Sequence, residues 1–435
     1  MNPQPADPIL ARLLAIEADI RMGGLDKAAA GLAAARKAAA NDVRVALVEA
    51  ILARAQKDIV KEIGSLRRAV QLAPGSPAAH VELAKALLRG DDHQAAISVI
   101  NHASSLFPGH LGVLEVAVSI SNVAGMLDNS ERHLRAAKSL RPDDEMIHRA
   151  LAVCLSTRKN HAEAATLWRE TLTRFPNDPA ALGNLGVSLL ELGENEEAIV
   201  NLQRALDLMP TDENTAFFLA MAKGETPRTR PNDLTRKLFD SYSSRFDKHL
   251  VGQLKYRVPQ RVAEIVRARH PNKNVDVLDL GCGTGLTGVY LGPVTGKFVG
   301  VDLAPQMIER AARHGVYTEL RALDLRSALA QTQPQSFDYV IANDVFVYVG
   351  DLSDIFPAAF RALRAGGTFV FSCEALEDTG GDYVLRRSRR YAHSRAYVRN
   401  LCIGAGFDHC EVEDLNLREE NNQSIPGFIV VARKV

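Results

Sequence analysis

Proline recurs at positions 74, 108, 142, 176 and 210, each 34 residues after the last. A fixed period of this length points to one supersecondary unit, repeated and stacked. Other positions keep the same phase. Ala35, Ala69, Ala103, Ala137 and Ala205 form a row that Thr171 completes. Ala28, Ala96, Ala164 and Ala198 form a second row, interrupted by Glu62 and Ser130, while Gly23, Gly125 and Gly193 share a third. The clearest unit runs from Pro179 to Asp212. Leu182, Leu185, Gly186 and Leu189 follow helical spacing, Gly193 turns the chain, and Ala198, Leu202 and Ala205 mark the face of a second helix that Pro210 ends. Two antiparallel helices cannot bury their apolar faces alone, so such units stack, and small residues at the crossings let them approach closely.

This pattern resembles the tetratricopeptide repeat. Six 34-residue units fit residues 9–212, and residues 213–223 read as a capping helix. An all-α tetratricopeptide-repeat solenoid is therefore expected over 9–223. Such arrays bind partners on their concave face, here a protein or a carrier-bound substrate. Arg44, Arg54, Lys85, Arg89 and Arg149 fall where they would line it and suit an acidic peptide. The competing reading makes them ordinary solvated helix positions.

With 435 residues the chain has room for at least one more domain. Its 52 basic and 52 acidic side chains cancel, which argues against strong non-specific nucleic-acid binding. No run approaches the ~18 uncharged apolar residues of a membrane span, and the first twenty residues lack the basic start and apolar core of a signal peptide. The five cysteines, Cys154, Cys282, Cys373, Cys402 and Cys410, are scattered. They form neither a disulfide framework nor a paired metal motif. A reducing, cytoplasmic setting and no metal are expected.

Residues 224–233, GETPRTRPND, read as a linker. Beyond it, over 234–435, the period is lost and helices alternate with strands, as in an α/β domain with a parallel sheet. Strands are expected at 275–280, 297–303, 318–325, 336–344 and 367–374, followed by an antiparallel pair at 409–417 and 427–434. After the first strand comes Asp279-Leu280-Gly281-Cys282-Gly283-Thr284-Gly285. A glycine-rich turn between strand and helix lets a ligand approach the backbone. Leu286 stands where a dinucleotide fingerprint wants glycine, so that spacing is not met.

The stretch VLDLGCGTG resembles the first motif of class I S-adenosylmethionine-dependent methyltransferases. The resemblance implies a Rossmann-like fold, S-adenosylmethionine as cofactor, and a cofactor site built from Asp279, Gly281, Cys282, Gly283, Gly285, Asp302, Leu303, Met307, Asp324, Leu325 and Asn343. Asp302 would accept the ribose hydroxyls, Met307 would pack on the adenine, and Asp324 would meet its amino group. Asn343 and Asp344 would stand beside the reacting methyl. An aromatic lid is implied at 238–259. Tyr242, Phe246 and His249 share a helical face there, with Tyr242 or Arg257 at the cofactor's carboxylate end and His249 near the acceptor.

A second segment, GGDYVLRRSRRYAHS at 380–394, follows strand five, where this family inserts substrate-binding elements. Phe246, Arg257, Tyr348, Arg386, Arg387 and Arg390 are the expected substrate contacts, and the arginines would clamp a carboxylate or phosphate. His249 and His393 are candidate bases, and Asp344, Tyr348 and Tyr391 candidate orienting groups. The whole order of parts, with FDSYSSRFDKHL, LKYRVP and RYAHSRAYV, is similar to bacterial methyltransferases with N-terminal tetratricopeptide repeats. Asn343-Asp344 is followed by Val345-Phe346, not by the Pro-Pro-aromatic signature of amide N-methylation. O-methylation of a small or carrier-bound acceptor is the favoured expectation. The alternatives are a protein methyltransferase whose repeats grip the target, and a non-catalytic scaffold that senses the cofactor.

Overall fold

The computed structural model describes residues 7–242, 256–377, 381–420 and 423–435. The chain divides into two compact units, Met1–Leu208 and Met209–Val435.

The described residues of the first unit form helices joined by short turns. Its helix pairs are α1 (Pro8–Arg21) and α2 (Leu25–Ala38), α3 (Val43–Ala55) and α4 (Ile59–Leu72), α5 (Pro77–Arg89) and α6 (His93–Leu106), α7 (Leu111–Val123) and α8 (Leu127–Leu140), α9 (Glu145–Thr157) and α10 (His161–Arg174), α11 (Pro179–Leu192) and α12 (Asn195–Leu208). Each piece of punctuation recurs at the same phase. Asp42, Ser76, His110, Asp144 and Asp178 cap the first helices of their pairs through side-chain acceptors. Between the helices of every pair one residue is left-handed: Gly23, Lys57, Asp91, Gly125, Lys159 and Gly193, with φ from 59° to 81°. Three of these are not glycine, which is why the glycine row looked incomplete in the sequence.

The small-residue rows lie at the helix crossings. Ala28, Ala96, Ala164 and Ala198 are fully buried, as are Ala35, Ala69 and Ala103. A Cβ on Gly186 would stand 2.5 Å from Leu202 Cγ, so only glycine fits that crossing. Glu62, which breaks an alanine row, is also buried and accepts from both Arg54 and Arg89. All five basic residues expected to face a partner are in ion pairs: Arg44 with Asp7 and Asp42, Arg54 and Lys85 with Glu82, Arg89 with Glu62, and Arg149 with Glu145 and Asp178. They bond within the array, which favours the solvated-surface reading over an anion-binding row.

The second unit begins with α13 (Glu213–Ala222) and α14 (Asn232–Tyr242), so the helix read as a cap of the repeats lies in this unit. After α15 (Val258–Arg269), strands and helices alternate: β1 (Val277–Leu280), α16 (Leu286–Leu291), β2 (Phe298–Asp302), α17 (Pro305–Ala312), β3 (Glu319–Ala322), α18 (Leu325–Gln331), β4 (Phe337–Ala342), α19 (Ile355–Ala362) and β5 (Leu363–Ala375). Two short strands follow, β6 (Tyr383–Leu385) and β7 (Tyr391–His393), which the sequence pattern did not reveal. Then come α20 (Arg395–Ala405), β8 (His409–Glu420) and β9 (Gln423–Arg433).

The sheet runs β3-β2-β1-β4-β5, all parallel. Strand β9 pairs antiparallel with β5 and with β8, and the β6–β7 hairpin joins the end of β5. Strands β1 and β2 are buried along their whole length, as strands covered on both faces must be. One face packs Phe346, Phe356, Phe369 and Phe371. The other packs α15 through Val258, Val262 and Val266.

The stretch expected as a linker is tied to this unit. The Arg228 carbonyl accepts from the N–H groups of Gly350 at 3.0 Å and Asp351 at 2.7 Å. Arg230 N–H donates to the Tyr348 carbonyl at 3.3 Å, and Thr229 bridges Val349 antiparallel. The Arg228 side chain donates to the Asp351 carboxylate at 2.8 Å. Residues 228–231 thus form a strap along the turn after β4.

Candidate active site

A cavity of about 610 Å³ opens at the C-terminal ends of β1, β2 and β4. This is where open α/β sheets bind ligands, and the volume is that of a small-molecule site. Gly281, Cys282, Gly283, Asp302, Leu303, Asp324, Leu325, Asn343 and Asp344 line it.

The glycine loop has its shape because three of its residues are left-handed, Gly281 at φ 67°, Gly283 at 55° and Gly285 at 90°. A Cβ at Gly281 would stand 2.4 Å from Val345 Cγ2. The turn therefore presents bare backbone to the cavity. Gly283 N–H donates to Asp302 Oδ2 and Ala304 N–H to Oδ1, both at 2.9 Å. Each oxygen keeps acceptor capacity for a hydroxyl. Burial raises the Asp302 carboxyl to about 6, against the pull of those two backbone donors. Asn343 donates to Thr287 Oγ1 at 3.1 Å, while its buried Oδ1 has no partner among the described residues. A bare backbone turn, a carboxylate with free lone pairs and an unanswered amide oxygen on one wall fit a ribose-bearing, amine-bearing ligand such as S-adenosylmethionine.

Asp344 stands at φ 57° with its N–H on Ser372 Oγ at 2.8 Å. Its carboxylate accepts from Arg418 at 2.8 Å, and the same guanidinium donates to Glu374. Glu374 also accepts from Arg386 at 3.1 Å. Arg418 and Glu374 are almost wholly buried. Asp344 is thereby a held, charge-paired group suited to orienting. Sequence reasoning missed Arg418, which lies on β8, far along the chain from Asp344, with no local motif to mark it.

Several expected residues stand elsewhere. Met307 is fully buried on α17 and does not line the cavity. Asp279 and Gly285 do not line the cavity. Asp279 accepts from the Tyr317 hydroxyl at 2.8 Å, and burial pushes its carboxyl to about 7. His393 is fully buried off the cavity, donates from Nε2 to the Gly350 carbonyl at 3.0 Å and stacks on Tyr397. Burial lowers its pKa to about 4, so it is neutral and already engaged, which does not suit a base. Tyr391, on β7 of the hairpin, is fully buried, and it too is absent from the cavity wall.

Of the arginine run, Arg390 lines the cavity, Arg387 is exposed away from it, and Arg386 donates to Glu374 and to the Ala375 carbonyl. Arg389 lies 5.0 Å over the Phe218 ring of α13, which pins the hairpin to that helix. Tyr348 lines the cavity. Arg257 is exposed at the start of α15, whereas its neighbour Tyr256 is buried in the cavity wall. Phe246, His249 and the Tyr242 side chain lie outside the described residues. The strap supplies Thr229, Arg230 and Pro231 and the start of α14 supplies Asn232, all of which sequence reasoning had assigned to a linker. Among the described residues no histidine or lysine lines the cavity, and no group of three His, Cys, Asp or Glu side chains could hold a metal ion. No helix among them is long and apolar enough to cross a membrane.

Known families match both halves. The family described as a methyltransferase domain matches residues 278–369, and the tetratricopeptide repeat matches residues 13–77 and 155–213. The ubiquinone biosynthesis O-methyltransferase of Xanthomonas oryzae pv. oryzae is 30% identical over 162 residues, covering 34% of this chain and 67% of that protein. The chain belongs to the class I S-adenosylmethionine-dependent methyltransferases and carries a tetratricopeptide-repeat array ahead of the methyltransferase fold. Likenesses to solved structures are looser. The 1,6-didemethyltoxoflavin-N1-methyltransferase of Burkholderia thailandensis is 19% identical, covering 48% of this chain and 93% of that one, with a TM-score of 0.38. YrrB, a tetratricopeptide-repeat protein, is 16% identical over 44% of this chain and 97% of its own, with a TM-score of 0.37.

Proposed function

We propose that this methyltransferase acts on an oxygen of a small or carrier-bound acceptor, and that the repeat array binds the protein or carrier that delivers it. One observation carries the reading: a single cavity joins the glycine-loop wall to a wall of aromatic and basic side chains, Tyr256, Tyr348, Arg230 and Arg390. The Gly281–Gly283 backbone, Asp302, Leu303, Asp324, Leu325 and Asn343 would hold the cofactor, with Asp302 on the ribose hydroxyls. When bound, S-adenosylmethionine supplies a methyl group already activated by its sulfonium. The chain's task is then to align the acceptor and keep water out.

Oxygen is favoured by the acid–base inventory of the described cavity wall. Asp344 is paired with Arg418, and neither histidine nor lysine lines the cavity among the described residues. Carboxylates and acidic phenols lose their proton without a strong base. The Xanthomonas oryzae relative's name as an O-methyltransferase agrees with this.

The test is transfer of a labelled methyl group from the cofactor to panels of carboxylic acids, phenols, amines and polypeptides. It should be run with the full chain and with a chain beginning at Met209. That start keeps Glu213, which lines the cavity, and Phe218, which holds the hairpin. Label on carboxyl or phenol oxygen, with delivery lost in the shorter chain, is expected. Label on polypeptide nitrogen alone would favour the protein-methyltransferase alternative.

A further inference from the structure

Among the described residues, Arg230 is a cation without an acid. Its guanidinium carbon lies 5.6 Å from the Tyr348 ring centroid, and Nη2 donates to the Leu234 carbonyl at 3.3 Å. Its Nε is buried without a hydrogen-bond partner among the described residues. No described carboxylate forms an ion pair with it, and the like charge of Arg390 is a neighbour in the same cavity. Burial first, and Arg390 after it, hold its pKa below the ordinary arginine value.

Other arginines around this cavity are answered: Arg418 by Asp344 and Glu374, and Arg326 by Asp354. A guanidinium does not shed its proton in a protein. Leaving one enclosed and unpaired costs free energy that an anion would recover. Both Arg230 and Arg390 line the cavity, beside Tyr348 and Ser388.

We infer that the methyl acceptor carries an anionic group, a carboxylate or a phosphate, and that Arg230 on the strap is the specificity residue that reads it. The inference rests on the proposed reading of the cavity as a cofactor-and-acceptor site and adds the acceptor's chemical class. The anchored anion is separate from the methylated oxygen, because an oxygen paired with a guanidinium is a poorer nucleophile.

The experiment is fluorine NMR titration of the full-length protein, saturated with S-adenosylhomocysteine, with para-fluorobenzoate, para-fluorophenyl phosphate and the neutral para-fluorobenzamide. At least one anion should bind about tenfold tighter than the amide, and the two anion arms tell carboxylate from phosphate. Arg230→Gln should erase the preference while S-adenosylhomocysteine affinity stays within about twofold. Arg230→Lys should keep part of the preference, which a purely structural role for the side chain would not produce. An absent preference in the wild type, or one that survives Arg230→Gln, overturns the inference. So does a tenfold or greater loss of S-adenosylhomocysteine affinity in that variant, which would give the guanidinium to the cofactor. If the wild type does not bind S-adenosylhomocysteine, the reading of the site fails, and the same titration without it still decides whether Arg230 selects anions.

Discussion

Arg149 in the repeat unit and Arg230 on the strap are both partly enclosed arginines, yet their surroundings differ. Arg149 donates to Glu145 on its own helix and to Asp178 at the cap of α11. Arg230 has an aromatic ring and one carbonyl. The repeat unit answers its charges along its own length, Arg135 with Glu163 and Arg169 with Glu197 repeating the same step. Among the described residues, the cavity of the second unit keeps groups open, Arg230 Nε and Asn343 Oδ1 with them. Internally matched charge belongs to a scaffold, and unmatched polar groups converging on a cavity belong to a site made for a ligand.

The largest test of this contrast removes one arginine from each setting. Arg418→Met leaves Asp344 and Glu374 facing each other without their cation. Urea denaturation should register a loss of about 3–5 kcal/mol. Arg149→Met, in a more solvated network, should cost about 1 kcal/mol or less. Equal losses would erase the distinction between the two kinds of pairing.

Next comes pH. The folded Asp302 carboxyl titrates near 6, above its unfolded value of 3.8. For the ligand-free protein, this group's contribution to stability is present below 3.8 and is lost as pH rises through about 6. A ribose hydroxyl needs the ionised acceptor, so S-adenosylhomocysteine affinity should rise over the same window and level off above it. Titration calorimetry of the wild type across that range reads the effect, and an affinity that stays flat would contradict it.

Two smaller effects separate punctuation from site. Lys159 is left-handed at φ 65° where the neighbouring units have glycine. Lys159→Gly should therefore stabilise the array by about 0.5–1 kcal/mol, seen as a higher melting temperature. The buried Tyr391 hydroxyl has no partner among the described residues. Tyr391→Phe should shift stability by less than about 0.5 kcal/mol and leave turnover unchanged. A large drop in turnover would return Tyr391 to the catalytic list.

The repeats were legible because a period reports each local role six times. Prolines, caps and alanines stand in phase, and even Glu62 and Lys57 can be placed from their row once the others are known. The parallel strands and the glycine loop were legible because a buried strand ending in Asp279 or Asp302 and a run of left-handed glycines are local signals. The acceptor side was not. Arg418 reaches Asp344 from β8, Arg230 comes from a stretch whose prolines and charges read as a linker, and the β6–β7 hairpin turns most of its arginines away from the cavity. Those placements follow from tertiary pairing, which leaves no mark within a sequence window. Tyr256 stood one position from the expected Arg257, because a residue's neighbour at a helix start faces another way.

The central claim is that the glycine loop and Asp302 make the second unit a cofactor-binding enzyme. Titration calorimetry of the full-length protein with S-adenosylhomocysteine tests it most directly. Saturable one-to-one binding, lost in Asp302→Asn and in Gly281→Val, is the predicted result. A folded wild-type protein that takes up no ligand, or an Asp302→Asn variant that binds as well as the wild type, would contradict it.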